Sequence, residues 1–134
     1  MSVAERISHL ELECTDLARS RDFYTRAVGL RLREEAPGSH AVLEVASGQL
    51  LILRQVAHLA PKGMAVSRFE SGPHYAFFVE PGEWHALLAQ LDATGVPWND
   101  REHAAARPRG EAGAYFSDPD GYTVQLITAG PPDR

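Results

Sequence analysis

Two histidines and one glutamine carry the most distinctive chemistry this sequence could do. His9 lies in the run Ile7–Cys14 (I-S-H-L-E-L-E-C), His74 opens His74–Val79 (H-Y-A-F-F-V), and Gln125 lies in Tyr122–Thr128 (Y-T-V-Q-L-I-T). Imidazole nitrogen suits zinc, nickel, iron and manganese, whereas an amide oxygen is a weak, hard ligand. Brought to one point, the three donors would hold a divalent cation. Glu11 follows His9 by two residues, which puts both on one face of a strand. There it could take a proton from a bound molecule, add charge beside a metal, or simply pair with Arg54. Without a metal, the same histidines would be hydrogen-bonded residues of a cavity wall.

Such donors need rigid elements to position them. In Ile7–Cys14, Leu10, Leu12 and Cys14 alternate with His9, Glu11 and Glu13, the period-two pattern of a strand with one apolar face. Thr15-Asp16 offers an N-cap, and Leu17, Ser20, Phe23, Tyr24, Ala27 and Val28 form a helical stripe that Gly29 closes. Leu30–Glu35, His40–Ala46 and Gln49–Gln55 read as three strands, with turns at Pro37-Gly38 and Ser47-Gly48. Residues 56–72 have weak periodicity and read as a connector.

After the connector the pattern restarts. His74–Val79 is a strand, and Pro81-Gly82 begins a helix with the stripe Trp84, Leu87, Leu88 and Leu91, ended by Gly95. Val96–Asn99 reads as a short strand and Arg101–Gly113 as a polar loop. Ala114–Ser117 and Tyr122–Thr128 are strands joined by the turn Asp118-Pro119-Asp120-Gly121. The order strand, helix, three strands is thus written twice, over 7–55 and 73–128 of a single 1–134 domain. His9 and His74 stand 65 residues apart and open the two copies. An internal repeat implies a pseudo-twofold axis near which equivalent positions meet. The inward sets would be His9, Glu11 and Glu13; Leu50, Ile52 and Arg54; His74, Ala76 and Phe78; and Thr123, Gln125 and Ile127.

Composition narrows the function classes. The 134 residues are 44% hydrophobic and 23% charged, with a formal net charge of −5. No basic stripe with interleaved aromatics points to nucleic acid. No apolar run reaches the roughly 20 residues of a membrane span, and no signal peptide is seen. The single cysteine, Cys14, permits no internal disulfide and fits a reducing cytoplasm. A small organic ligand or another protein is the partner that composition leaves open. Arg54, Phe78, Trp98, Arg107, Arg109 and Tyr115 are candidate substrate contacts, the arginines for an anionic group and the rings for a planar one.

The runs I-S-H-L-E-L-E-C-T-D-L, G-P-H-Y-A-F-F-V and Y-F-S-D-P-D-G-Y-T-V-Q-L-I together resemble the vicinal-oxygen-chelate superfamily. That superfamily includes glyoxalase I, fosfomycin-resistance thiol transferases, extradiol dioxygenases and bleomycin-resistance proteins. The resemblance spans about Ile7 to Thr128. It implies an α+β fold of paired βαβββ modules, with a curved, cup-like mixed sheet and helices on its outer face. It also implies a homodimer and a divalent metal (Mn, Ni, Zn or Fe). His9 and His74 match the family's two histidine ligands, and Gln125 stands at its glutamate. Ile52 stands where glyoxalase-type members carry a fourth ligand.

The departure at Gln125 has consequences. Two imidazoles and an amide bring no negative charge to a dication, so the ion is held less tightly and polarises a bound oxygen more strongly. Lyase chemistry and extradiol cleavage both want the missing carboxylate, while thiol transfer needs mainly a Lewis acid. The expected function is a metal-dependent enzyme acting on a small substrate with vicinal oxygens, with Glu11 as its catalytic carboxylate. The alternative is a metal-free, ligand-sequestering protein of the bleomycin-resistance type.

Overall fold

The computed structural model describes residues 3–59, 74–99 and 111–130. It divides into two compact units, Met1–Ala60 and Pro61–Arg134. Most of the expected connector 56–72, and residues 101–110 of the expected arginine-bearing loop, lie outside the described residues.

The first unit contains β1 (His9–Cys14), α1 (Leu17–Asp22), β2 (Arg31–Ala36), β3 (His40–Glu44) and β4 (Leu50–Gln55). Asp16 caps α1 by accepting from the Arg19 amide at 3.0 Å. The helix continues as a π-helical turn, Phe23–Ala27, in which the Val28 amide reaches back to the Phe23 carbonyl. Gly29 ends it at φ 85°, a conformation that disfavours any residue with a Cβ. The expected stripe is buried at Leu17, Ser20, Tyr24, Ala27 and Val28.

The sheet order is β1-β4-β3-β2, with β1 parallel to β4 and the other pairs antiparallel. Register places Leu12, Leu51, Leu53, Ala41 and Leu43 on one face, and all five are buried. Burying each leucine contributes about 1.5–3 kcal/mol, which fixes which face turns inward. His9, Glu11 and Glu13 follow on the opposite face.

The second unit contains β5 (His74–Phe78), a 3-10 turn at Pro81–Glu83, α2 (Trp84–Ala93), β6 (Glu111–Ser117) and β7 (Thr123–Ala129). Its sheet order is β5-β7-β6, with β5 parallel and β6 antiparallel to β7. Trp84 and Leu91 of α2 are buried, as are Ala114, Phe116, Val124, Leu126 and Thr128 on one face of the sheet. In both units the first strand therefore lies parallel to the last. His9 pairs with Leu50 and His74 with Thr123, the first residue of the last strand each time.

Two expected elements change. Val96–Asn99 is reduced to one bridge, in which Asn99 and Tyr115 exchange main-chain hydrogen bonds of 2.9 Å. Pro97 lacks the N–H that a longer ladder would need. Residues 111–113, read as loop, are the start of β6: Glu111, Ala112 and Gly113 pair with Ala129, Thr128 and Ile127. No described helix is long and apolar enough to cross a membrane.

Candidate functional site

In the second unit the register sets out three rows on one sheet face. They run His74–Thr123–Ser117, Ala76–Gln125–Tyr115, and Phe78–Ile127–Gly113. Polarity falls along them, from imidazole and hydroxyls, through amide and phenol, to two apolar side chains and a glycine. Successive rows are two strand residues apart, or about 7 Å.

Gln125 is 6% exposed, unusual burial for a primary amide. Its room comes from Gly113: a Cβ there would stand 3.2 Å from Gln125 Nε2, tighter than ordinary packing. Tyr115, Gln125's neighbour on β6, is 3% exposed, and burial pushes its phenol above the ordinary pKa. Its ring meets the His74 imidazole edge-on, with centroids 5.8 Å apart and planes at 70°. Phe78, at the other end of β5, is 60% exposed.

The turn after β6 keeps these rows aligned. Asp118 Oδ1 accepts the amides of Asp120 and Tyr122, both at 2.9 Å, and the Asp118 amide donates to the Tyr122 carbonyl. Pro119 and Gly121 shape this turn, as the sequence suggests, but the buried Asp118 carboxylate ties it together.

The equivalent rows of the first unit are His9–Leu50–Glu44, Glu11–Ile52–Val42 and Glu13–Arg54–His40. His9 is exposed, with Nδ1 2.8 Å from Ser8 Oγ. Arg54 donates to Glu11 from Nη2 at 2.7 Å and from Nε at 3.2 Å, both bonds falling on Oε1. Those bonds push the Arg54 guanidinium further above its ordinary pKa. The pairing weighed for Glu11 is therefore present.

The remaining expected contacts divide. Trp98 stands beside α2: its indole donates to Asp92 at 2.7 Å, and with His85, Leu88, Ala89 and Asp92 it lines a shallow groove of about 440 Å³. Arg107 and Arg109 lie outside the described residues. Two positions escaped the sequence reading, Gly113 and the side chain of Asp118. A glycine two residues before a tyrosine is a weak hint, since its meaning depends on which residue β7 sets opposite. Among the described residues no group of three His, Cys, Asp or Glu side chains forms a metal cluster. The donor set is instead imidazole with amide, and in the second unit His74 and Gln125 share one face with a glycine cradle beneath the amide. Imidazole with amide is a neutral donor set of a kind a divalent ion accepts.

The fold has many solved counterparts. A glyoxalase/dioxygenase from Nostoc punctiforme is 23% identical, with 99% of each chain covered and a TM-score of 0.74. A lactoylglutathione lyase from Agrobacterium tumefaciens is 20% identical, with 95% of this chain and 96% of that chain covered and a TM-score of 0.66. A glutamate-to-glutamine mutant of the fosfomycin resistance protein FosX from Listeria monocytogenes, complexed with Mn(II) and a dihydroxypropylphosphonic acid, is 16% identical. There 95% of this chain and 94% of that chain are covered, with a TM-score of 0.71. At these identities the likeness is one of fold. No curated protein sequence gives a significant match. The family model described as Glyoxalase/Bleomycin resistance protein/Dioxygenase superfamily matches residues 6–126, nearly the whole chain, and the protein belongs to that superfamily.

Proposed function

We propose that this protein is a divalent-metal-dependent enzyme acting on a small substrate with two adjacent oxygens, with His9, His74 and Gln125 as the metal's ligands. The observation that carries the reading is the second unit's polar face, where His74 and a buried Gln125 share one side of neighbouring strands. The repeat supports His9 as the second imidazole, since it holds the position in its unit that His74 holds in the other. A metal held this way supplies Lewis-acid stabilisation of charge on a substrate oxygen.

The chain's own residues take the other roles. Glu11 accepts a proton from the substrate, and Arg54, bonded to one carboxylate oxygen, fixes its direction. The Tyr115 phenol, its pKa raised by burial, stays protonated at neutral pH and donates a hydrogen bond to a substrate oxygen. Phe78 and Ile127 offer apolar surface to the rest of the molecule. Arg107 and Arg109 would hold an anionic group. The protein acts as a single 1–134 domain of two modules, assembles as a homodimer and works in the cytoplasm, in keeping with its lone buried cysteine.

A second reading is a metal-free binding protein of the bleomycin-resistance type. The exposed Phe78 beside Ile127 supports it, since the two offer adjoining apolar surface against which a planar ligand could lie. One experiment separates the two. The protein is purified from cells supplemented with manganese, nickel, zinc and iron, and bound metal is measured in the wild type, His9→Ala and His74→Ala. The enzyme reading expects about one ion per chain in the wild type and background in both variants. A wild type without stoichiometric metal under all four supplements leaves only the binding reading. Full retention in both variants overturns the ligand assignment.

A further inference from the structure

We propose that β6 positions both donors of the second unit: the Tyr115 ring braces the His74 imidazole, and Gly113 keeps open the space that the Gln125 amide fills. The bearing on metal affinity rests on the reading above; the bracing does not.

His74 begins an edge strand and is exposed, so a ring packed against its imidazole narrows the orientations the side chain can take. β7 separates β5 from β6, and two inter-strand steps span about 9–10 Å. Rings 5.8 Å apart therefore lean towards each other above β7. Tyr115 is the fixed member. Its main chain is held by Asn99 on one side and by β7 on the other, and its side chain is buried. The contact is edge-on, the favoured geometry for two rings.

Gly113 plays the complementary part. Its φ lies outside the left-handed region, so its backbone would accept any residue and its lack of a side chain is a matter of space. A Cβ would stand 3.2 Å from Gln125 Nε2, 3.6 Å from the Leu126 carbonyl oxygen and 3.9 Å from Tyr115 Cε2. Even one methyl would push the amide sideways by a few tenths of an ångström. Both residues act through the donors, as positioning residues.

The test uses the full chain, free of metal and then with Mn(II) alone. In the metal-free wild type, nuclear Overhauser contacts between the His74 and Tyr115 ring protons are expected; their absence overturns the bracing, whether or not any variant folds. Tyr115→Leu should move the His74 ring-proton resonances while the backbone amide spectrum of β7 holds, and Tyr115→Phe, which keeps the ring, should restore them. Gly113→Ala should move the Gln125 side-chain NH2 pair. Unmoved resonances in Tyr115→Leu or Gly113→Ala contradict the corresponding half. With Mn(II), Tyr115→Leu should bind about tenfold more weakly, the loss typical of removing a support for a ligating histidine, and Tyr115→Phe should bind as the wild type does. Equal affinity in Tyr115→Leu contradicts the link to metal. A wild type that binds no Mn(II) counts against the proposed function, while the metal-free spectra still decide the bracing.

Discussion

The two units share a strand plan and differ in what they put on it. Both set an imidazole at the start of a strand that runs parallel to the last strand of its unit. Both bury a leucine at the same place on that last strand, Leu53 in β4 and Leu126 in β7. On the other face they part. The first unit carries formal charge, with Glu11 paired to Arg54 and Ile52 at the central position. The second carries neutral polar groups, with Gln125 central, Tyr115 beside it and Gly113 making room. Equivalent core positions are held alike because packing tolerates little change, while the opposite faces of the two units carry different chemistry.

This comparison can be broken at the core first. Leu53→Ala and Leu126→Ala remove equivalent, fully buried side chains, and each should cost about 2–5 kcal/mol in denaturant unfolding. A large disparity between them would mean that the cores are not equivalent. Next, Asp118→Ala removes the acceptor of two turn amides in the second unit, and a loss of about 1–3 kcal/mol is expected by the same measurement. The charged pair of the first unit should behave oppositely. Glu11→Gln should leave the melting temperature essentially unchanged, because the pair is exposed and water replaces it cheaply. A clear fall in Tm would make that pair structural and remove it from the chemistry.

The smallest effect is on pH dependence. Burial holds the Tyr115 phenol above its ordinary pKa of 10.0, so the folded chain keeps a proton that the unfolded chain releases. Below that value the phenol adds no pH dependence; as pH rises past it, stability falls. Tyr115→Phe should lack this part of the decline when unfolding is compared at about pH 9 and about pH 11. A decline of equal size in both proteins would show that the phenol does not titrate differently on folding.

Much of this was legible in the residues. Alternation in Ile7–Cys14 puts His9, Glu11 and Glu13 on one face, and the ladder with β4 keeps them there. The same alternation groups Thr123, Gln125 and Ile127. Gly29 and Gly95 mark both helix ends, and each has positive φ. Features set by long-range pairing were hidden. Glu111–Gly113 lacks an apolar alternation of its own and is a strand because β7 supplies its partners. The role of Gly113 depends on the register that sets Tyr115 against Gln125. The sequence offers Trp98 only as aromatic surface for a ligand. Its indole donates to Asp92 of α2, a pairing that no local pattern in the sequence announces. The π-helical turn after α1 has no sequence signal that a regular helix would lack.

The central claim is that a neutral amide on β7 stands in the ligand set where the superfamily carries a carboxylate. Mn(II) affinity of the wild type and of Gln125→Glu tests it most directly. Restoring the negative charge should tighten binding on the order of tenfold or more, a gain of about 1.4 kcal/mol or more, and His74→Ala should abolish that gain. Equal affinity in the wild type and Gln125→Glu would contradict the account.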